Sequence, residues 1–139
     1  MRFMILVKAN DESEAGALPT DEVVWDRMSR YHEELARAGA LLDASGLHAS
    51  SKGWRISYSG GKRTVTDGPF TETKELVAGY TIIQVSSREE ALEWTRRFPN
   101  PAQWDGDGEI EVQQLFELDE FEPGPGLDRF REMKLPSQQ

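Results

Sequence analysis

The sequence predicts an α+β fold, and three observations lead to that prediction. Segments with strand-like apolar patterns recur along the chain, two segments with helical spacing separate them, and a Gly60-Gly61 pair joins two of the strand segments. The order is β-α-β, an inserted β-hairpin, and then β-α-β. This order is typical of a ferredoxin-like split βαβ fold with an antiparallel sheet and both helices on one face.

The first half of the chain supplies a strand, a helix and a second strand. Arg2–Lys8 is apolar on both alternating faces, as expected of a strand within a covered sheet. Thr20 is typical of a helix N-cap, and Gly39 of a helix end. Between them, apolar residues recur at spacings of four and three, which predicts an amphipathic helix: Val24, Met28, Tyr31, Leu35 and Ala38. Residues 41–48 resume the strand pattern.

A β-hairpin is predicted next. Trp54, Ile56 and Tyr58 alternate with polar residues, and residues 63–66 form the returning strand. Two consecutive glycines between these strands permit the positive φ angles of a two-residue hairpin turn. Residues 64–80 then place an acid, a Gly-Pro turn, an aromatic residue and alternating charges between two strands, which favours a site there.

The second half repeats the strand, helix and strand order. Residues 77–85 are strongly apolar, and the segment from Ser87 to Glu90 fits a capping box at the start of a second helix. Pro99 ends that helix. Residues 110–118 alternate between apolar and polar side chains, which predicts a half-exposed strand.

Length and composition predict one folded domain, residues 1–121, followed by a C-terminal tail, residues 122–139, with a Pro-Gly linker and a short helix. The net charge is −9, with 25 acidic and 16 basic residues and no basic cluster, so we expect no nucleic-acid partner. The apolar N-terminal stretch is too short for a signal peptide or a membrane span, so we expect a cytoplasmic protein without membrane contact.

Several kinds of chemistry have no support in the sequence. Cysteine is absent, which excludes disulfides, thiolate catalysis and cysteine-bound metals. The two histidines and the scattered acids show no metal-binding spacing, and the segment from Asp105 to Glu109 fails the calcium-loop pattern. No phosphate-binding or nucleotide-binding loop is present. We therefore expect no metal and no cofactor. Because two helices cover only one sheet face, we expect a homodimer whose sheets pack together.

Three ordered motifs give a family resemblance over residues 1–121. They are D-G-P-F-T-E-T-K-E-L-V-A-G-Y from Asp67, Q-V-S-S-R-E-E-A-L-E-W from Gln84, and G-D-G-E-I-E-V-Q-Q-L-F-E from Gly106. With them the chain resembles the YCII-related family, in its DGPF subgroup. The resemblance implies a dimeric α/β-barrel built from ferredoxin-like subunits. In wider relatives it implies a His-Asp pair for acid-base chemistry, and many DGPF members are associated with extracytoplasmic-function sigma factors.

The acid of that pair matches Asp67, whereas the position of the histidine falls near Met28. His32 lies one turn later, and His48 follows on the next strand. We therefore name Asp67 and His48 as candidate catalytic residues. The candidate pocket lies between sheet and helices, and its other candidate residues are Phe70, Tyr80, His32 and Trp54. The alternative for Asp67 is a structural role, in which its carboxylate caps its own turn.

Three functions remain open at this point. The first, which we favour because the histidine is displaced, is a dimeric small-molecule-binding or accessory protein. The second is a cofactor-independent isomerase, lyase or hydrolase that uses Asp67 and a histidine as acid and base. The third is a regulatory interaction protein associated with sigma-factor systems.

Overall fold

The computed structural model describes residues 1–135 and confirms a mixed α+β fold with antiparallel strands. Its strands and α-helices follow the predicted order, with one unpredicted short helix added after the first strand. They are β1 (Arg2–Lys8), α1 (Asp11–Glu14), α2 (Glu22–Arg37), β2 (Leu41–Gly46), β3 (Trp54–Ser59), β4 (Lys62–Asp67), β5 (Val77–Gln84), α3 (Arg88–Arg96), β6 (Ile110–Gln114) and α4 (Pro125–Met133).

Four strands form the main sheet, in the order β2-β5-β1-β6, and every neighbouring pair is antiparallel. The two central strands, β1 and β5, are the segments whose sequences are apolar on both faces. Their register places Phe3 opposite Ile83 and Ile5 opposite Thr81. Because strand side chains alternate between faces, this register fixes which residues meet the helices.

The hydrophobic core lies on one face of this sheet. Ile5 and Ile83 are fully buried there together with Leu35 of α2, and Ala91 of α3 belongs to the same cluster. Burial of an aliphatic side chain of this size contributes about 1.5–3 kcal/mol to folding. The helical spacing in the sequence therefore identified the buried face of α2, at Tyr31 and Leu35.

The opposite face, which we call the outer face, has its own apolar centre. Met4 and Leu6 of β1 and Tyr80 of β5 are half-buried, and Ile82 is 8% exposed yet lies outside the main core cluster. Met4 pairs with Ile82 and Leu6 pairs with Tyr80 in the sheet register, so the four side chains are neighbours. This second apolar surface faces away from α2 and α3.

The β3–β4 hairpin forms a separate two-stranded sheet. Gly60 and Gly61 form its turn with φ angles of +57° and +74°, as the glycine pair predicts. Ile56 lies opposite Val65, and Tyr58 lies opposite Arg63. Both strands are exposed along their whole length, so the hairpin projects from the body as an arm.

Helix ends show where local sequence reasoning was wrong. The N-cap of α2 is Asp21, whose side chain accepts from the Val23 N–H at 3.0 Å, and not Thr20. The Thr20 N–H instead donates to Gln103, a residue 83 positions away. At α3 the predicted cap is present, since the Ser87 hydroxyl accepts from the Glu90 N–H.

Segment lengths differ from the predictions at both termini. The loop after β1 contains the short helix α1, and β6 ends at Gln114, so residues 115–118 are not part of the strand. The Pro-Gly segment predicted as a linker begins α4 at Pro125, where proline is well tolerated. The predicted tail extends to residue 139, and its residues 136–139 lie outside the described residues.

Candidate functional site

The turn after β4 is packed against the connection between β2 and β3. The Gly68 N–H donates to the Gly53 carbonyl at 3.0 Å, and the Phe70 N–H donates to the Ser50 hydroxyl at 3.0 Å. A Cβ atom at Gly68 would lie 1.8 Å from the Ser50 carbonyl oxygen. The turn therefore requires glycine at this position because two backbone segments touch there.

Glu14 fixes Ser50 in that position. Its carboxylate accepts from the Ser50 N–H at 2.9 Å and from the Ser50 hydroxyl at 2.5 Å. A capping box formed by Asn10 and Ser13 starts the short helix that carries Glu14. Hydrogen bonds to a charged acceptor are stronger than neutral ones, so this contact ties α1 to the root of the hairpin. Spacing alone could not reveal it, because Glu14 and Ser50 are 36 positions apart.

Phe70 and Trp54, two predicted pocket residues, lie at the root of the hairpin. The Arg55 guanidinium lies 3.7 Å from the centre of the Phe70 ring, a cation–π contact, and Phe70 is half-buried. Trp54 is 64% exposed and lies directly opposite Asp67 in the β3–β4 ladder. Phe70 therefore contacts the hairpin through Arg55, whereas the Trp54 side chain is largely exposed to solvent.

Asp67, the candidate acid, is exposed at the end of β4. Within residues 1–135 its carboxylate makes neither a hydrogen bond nor an ion pair, so it is not bonded to a histidine there and does not cap its own turn. His48 is likewise exposed and without a hydrogen bond to the rest of the described chain. The catalytic assignment of Asp67 and His48 stays a prediction.

His32 lies between α2 and the sheet. Its Nδ1 is 2.7 Å from the Met28 carbonyl oxygen, and its Nε2 is 2.8 Å from the Thr81 hydroxyl oxygen. A carbonyl oxygen only accepts, so Nδ1 carries the proton, and the Nε2 of a neutral ring accepts from Thr81. The ring also makes edge contacts with Tyr31 and Phe98. Both nitrogens of His32 are thus engaged in packing the helix onto the sheet.

Tyr80 belongs to the outer face. Its hydroxyl donates to Asp43 Oδ2 at 2.9 Å, and the Ala44 N–H donates to Asp43 Oδ1 at 2.9 Å. The hydrogen bond to Asp43 raises the pKa of Tyr80 above its usual value. Because Thr81 faces the core, its neighbour Tyr80 must face the other way. The sheet therefore separates Tyr80 from His32, two residues that sequence reasoning had assigned to one pocket.

Asp43 is the site residue that sequence reasoning missed. A register shift between Leu41 and Asp43 places Asp43 opposite Ile82 on the outer face. The sequence around it gives no sign of that shift, although an acid within a predicted strand was a visible exception to the apolar pattern. With its two carboxylate oxygens held by Tyr80 and by Ala44, Asp43 presents a fixed negative charge beside an apolar surface.

Two open depressions lie away from these residues. One, of about 350 Å³, is lined at the hairpin tip by residues that include Tyr58, Lys62 and Arg63. The other, of about 320 Å³, lies beside α4 between Glu117, Asp119 and Arg131. Neither contains a residue predicted for the site.

Residues 1–135 bring together no group of three or more His, Asp or Glu side chains suited to a metal ion. Nor does any helix in this part combine the length and the apolar character that a bilayer span requires.

Comparisons with known proteins agree with the motifs. Residues 1–119 match the model of the YCII-related domain. An uncharacterized protein, R00369, of Rhizobium meliloti (strain 1021) is 32% identical over 114 residues, which cover 81% of this chain and 92% of that protein. The match extends over the main sheet, the hairpin and the turn after β4 alike. The chain therefore belongs to the YCII-related family.

Proposed function

We propose that this chain is a homodimer of ferredoxin-like subunits that binds a small organic molecule at the outer face of its sheet. One observation carries the binding proposal. A hydrogen-bonded pair, Tyr80 and Asp43, is held in a fixed orientation beside the apolar centre formed by Met4, Leu6 and Ile82.

The strand order supports the ferredoxin-like part of the proposal. Each half of the chain contributes a strand, a helix and a strand, and the four strands assemble in the order β2-β5-β1-β6 with the core on one face. Split βαβ units interleave in this way. The apolar outer face supports the homodimer, because a sheet with apolar side chains on both faces is stable only when both faces are covered.

The polar pair limits the chemistry of the ligand. Asp43 is an acceptor with a negative charge, so it suits a ligand that donates a hydrogen bond, either a hydroxyl or an amine. The apolar neighbours suit a ligand with a hydrocarbon or aromatic body, since binding sites combine a mainly apolar lining with a few placed polar groups. We therefore propose an amphiphilic small molecule with a donor head group.

The acid-base alternative receives less support from the contacts. A general base must lie within hydrogen-bonding distance of the proton that it removes, and it needs a neighbouring partner group that adjusts its pKa. Asp67 and His48 are both exposed without such a partner among residues 1–135, and both nitrogens of His32 are already bonded. The binding function is consequently the one we favour.

A thermal-shift screen with a panel of small aromatic and aliphatic amines and alcohols tests the binding site. A ligand at ten times its Kd stabilises the folded state by about 1.4 kcal/mol, which raises the Tm of a chain of this size by several degrees. We expect at least one compound to do so in the wild type, and the shift to fall strongly in Asp43→Asn and Tyr80→Phe. Asp26→Asn, an exposed acid on α2, is the control.

Two results would count against the site. One is a panel in which no compound raises the Tm of the wild type. The other is a compound that stabilises Asp43→Asn and Tyr80→Phe as much as it stabilises the control variant.

A further inference from the structure

An exposed apolar surface lies at the start of α2, and we call it the tryptophan surface. Three side chains form it: Leu18 is 74% exposed, Trp25 52% and Trp104 67%. Trp25 belongs to α2, which packs on the core face of the sheet, so this surface is separate from the outer face. Large apolar side chains that remain in water as one patch mark an interaction site.

Hydrogen bonds place the two tryptophans beside one another. The Trp25 N–H donates to the Asp21 carbonyl at 3.1 Å, and the Trp104 N–H donates to Asp21 Oδ2 at 2.8 Å. The indole N–H of Trp25 donates to the Pro19 carbonyl at 3.0 Å, which holds that ring against the segment that carries Leu18. Because both tryptophans are bonded to the one buried residue Asp21, the three side chains belong to a single patch.

Trp104 has an unfavourable backbone conformation. Its φ and ψ angles are +57° and +40°, and Asp105 follows with a φ of +55°, so two consecutive non-glycine residues occupy the left-handed region. A bulky residue stays in this region only where surrounding contacts impose it. Here the Gln103 side-chain oxygen accepts from the N–H groups of Thr20 and Asp21, which ties the loop to α2. The fold thus strains the backbone at Trp104 without burying its side chain, as expected of a residue that is presented to a partner.

The two segments that carry the tryptophan surface are strongly acidic. Residues 18–26 contain three acids and residues 100–111 contain four, and neither segment contains a lysine, an arginine or a histidine. The two segments therefore carry a formal charge of −7, against −9 for the whole chain. The N-terminus of α2 contributes only about half a positive charge. Within residues 1–135 one of these seven acids forms an ion pair, Asp26 with Arg30, so the surface attracts cations.

We propose that the tryptophan surface binds a short basic segment of another protein, in which arginine or lysine side chains alternate with apolar ones. Each part of the surface matches one part of such a segment. The face of an indole ring attracts a guanidinium or ammonium group, the acids complement its charge, and Leu18 contacts the apolar side chains. This interaction is independent of the ligand proposed for the outer face.

The size of the surface favours a short segment over a whole domain. An aromatic side chain brings about 150–250 Å² when buried, so Trp25 and Trp104 at their present exposure offer about 180–300 Å² together. A standard complex buries about 800 Å² on each partner. The area of the two indoles therefore suits a peptide segment that binds transiently.

Two other occupants fit less well. A second copy of this chain carries the same charge of −9, so long-range repulsion opposes its approach to an acidic surface. Small organic cations bind in concave sites that enclose most of their surface, whereas Leu18, Trp25 and Trp104 are all more than half exposed. A basic segment of a different protein is therefore the occupant that both the charge and the shape favour.

Fluorescence anisotropy with defined peptides tests the proposal. The probe is a fluorescein-labelled synthetic peptide of Arg-Leu-Ser repeats, and peptides of equal length made of Glu-Leu-Ser or Arg-Gly-Ser repeats are the comparisons. We expect the Arg-Leu-Ser peptide to bind most tightly, because it supplies both the charge and the apolar contact. Its binding should weaken as the salt concentration rises, since salt screens the exposed acids.

Trp104→Asn separates binding from folding. Asparagine tolerates the left-handed region better than tryptophan, so the variant should unfold at the same urea concentration as the wild type or at a higher one. The Kd of the Arg-Leu-Ser peptide should nevertheless rise about three- to tenfold, and likewise in Trp25→Ser, because an exposed cation–π contact is lost. The matched control is Trp54→Thr, at a tryptophan of the hairpin that is 64% exposed, and it should leave the Kd unchanged.

The acids are tested by a charge-neutral pair of substitutions. Asp105→Asn combined with Asp107→Asn should raise the peptide Kd and reduce its dependence on salt. Glu93→Gln removes an exposed acid of α3 outside both segments and is the control, so it should change the Kd less than the paired substitution does.

Four results would overturn the proposal. The Arg-Leu-Ser peptide could fail to bind the wild type more tightly than the Glu-Leu-Ser peptide does. Trp104→Asn could bind the peptide as tightly as Trp54→Thr, which would leave only attraction by net charge. Trp104→Asn could unfold at a clearly lower urea concentration, which would assign Trp104 a structural role. A wild-type dimer in sedimentation equilibrium that Trp104→Asn dissociates would assign the surface to a contact between copies.

Discussion

Gly68→Ala is the sharpest test of how the turn after β4 is built. The added Cβ atom would lie 1.8 Å from the Ser50 carbonyl oxygen and 2.6 Å from the Ser50 carbonyl carbon. Ordinary contacts at a Cβ begin near 3.4 Å, so the two backbone segments would have to separate by about 1.6 Å. Backbone cannot move aside as the end of a flexible side chain does.

The cost can be estimated from two contributions. Forcing an extra carbon into a packed position costs about 1–3 kcal/mol. The separation also stretches the 3.0 Å hydrogen bond from Gly68 to Gly53, and a lost hydrogen bond costs about 0.5–1.5 kcal/mol more. We therefore expect Gly68→Ala to lower the free energy of unfolding by about 2–4 kcal/mol, a large part of the total for a domain of this size.

Urea unfolding followed by tryptophan fluorescence and circular dichroism measures this change. With an m value of about 1–3 kcal/mol per molar urea, the midpoint should fall by at least about 0.7 M. The matched control is Gly126→Ala in α4, where an added Cβ meets nothing within 4 Å and alanine favours the helix. Gly126→Ala should be neutral or slightly stabilising. A Gly68→Ala midpoint within error of the Gly126→Ala midpoint would refute the close-contact argument.

Two further predictions concern buried polar groups. Burial raises the pKa of Tyr31 to about 12, against about 10 in the unfolded chain. Because the folded value is the higher one, the stability associated with the neutral phenol is complete below about pH 10 and is lost as pH rises through about 12. The unfolding free energy of the wild type should thus fall more steeply over that range than that of Tyr31→Phe; parallel pH curves from urea titrations would contradict this. Asp21→Ala removes the cap of α2 and the acceptor for the Trp104 N–H, so it should cost about 1–3 kcal/mol in the same assay, whereas Thr20→Ala should stay within about 0.5 kcal/mol. Equal losses of stability in Asp21→Ala and Thr20→Ala would contradict the assignment of Asp21, and not Thr20, as the cap.

The predicted elements that were confirmed depend on short-range patterns. The two glycines at positions 60 and 61 give the hairpin turn, and the helical spacing that includes Tyr31 and Leu35 identifies the buried face of α2. These signals act within one turn or one helix. A local pattern therefore predicts them even when the rest of the chain is unknown.

Helix ends and site contacts were predicted less well, and the reason is visible at individual residues. Thr20 has a good capping side chain, but tertiary contacts place Asp21 at the cap, where its two carboxylate oxygens bond to Val23 and to Trp104. Trp104 is 83 positions away, so no window of local sequence contains both partners. Similarly, Tyr80 was predicted for the site without its partner Asp43.

The sequence by itself determined the α+β class, the order of the main strands and helices, the hairpin turn and the family motifs, because each depends on residues that are neighbours along the chain. Only the tertiary structure decided which strands pair, which face Tyr80 and His32 occupy, and that Glu14 holds Ser50 beneath the turn. The physical reason is that a one-residue change of register moves a side chain to the other face of a sheet. The shift between Leu41 and Asp43 is such a change, and it places Asp43 beside Tyr80.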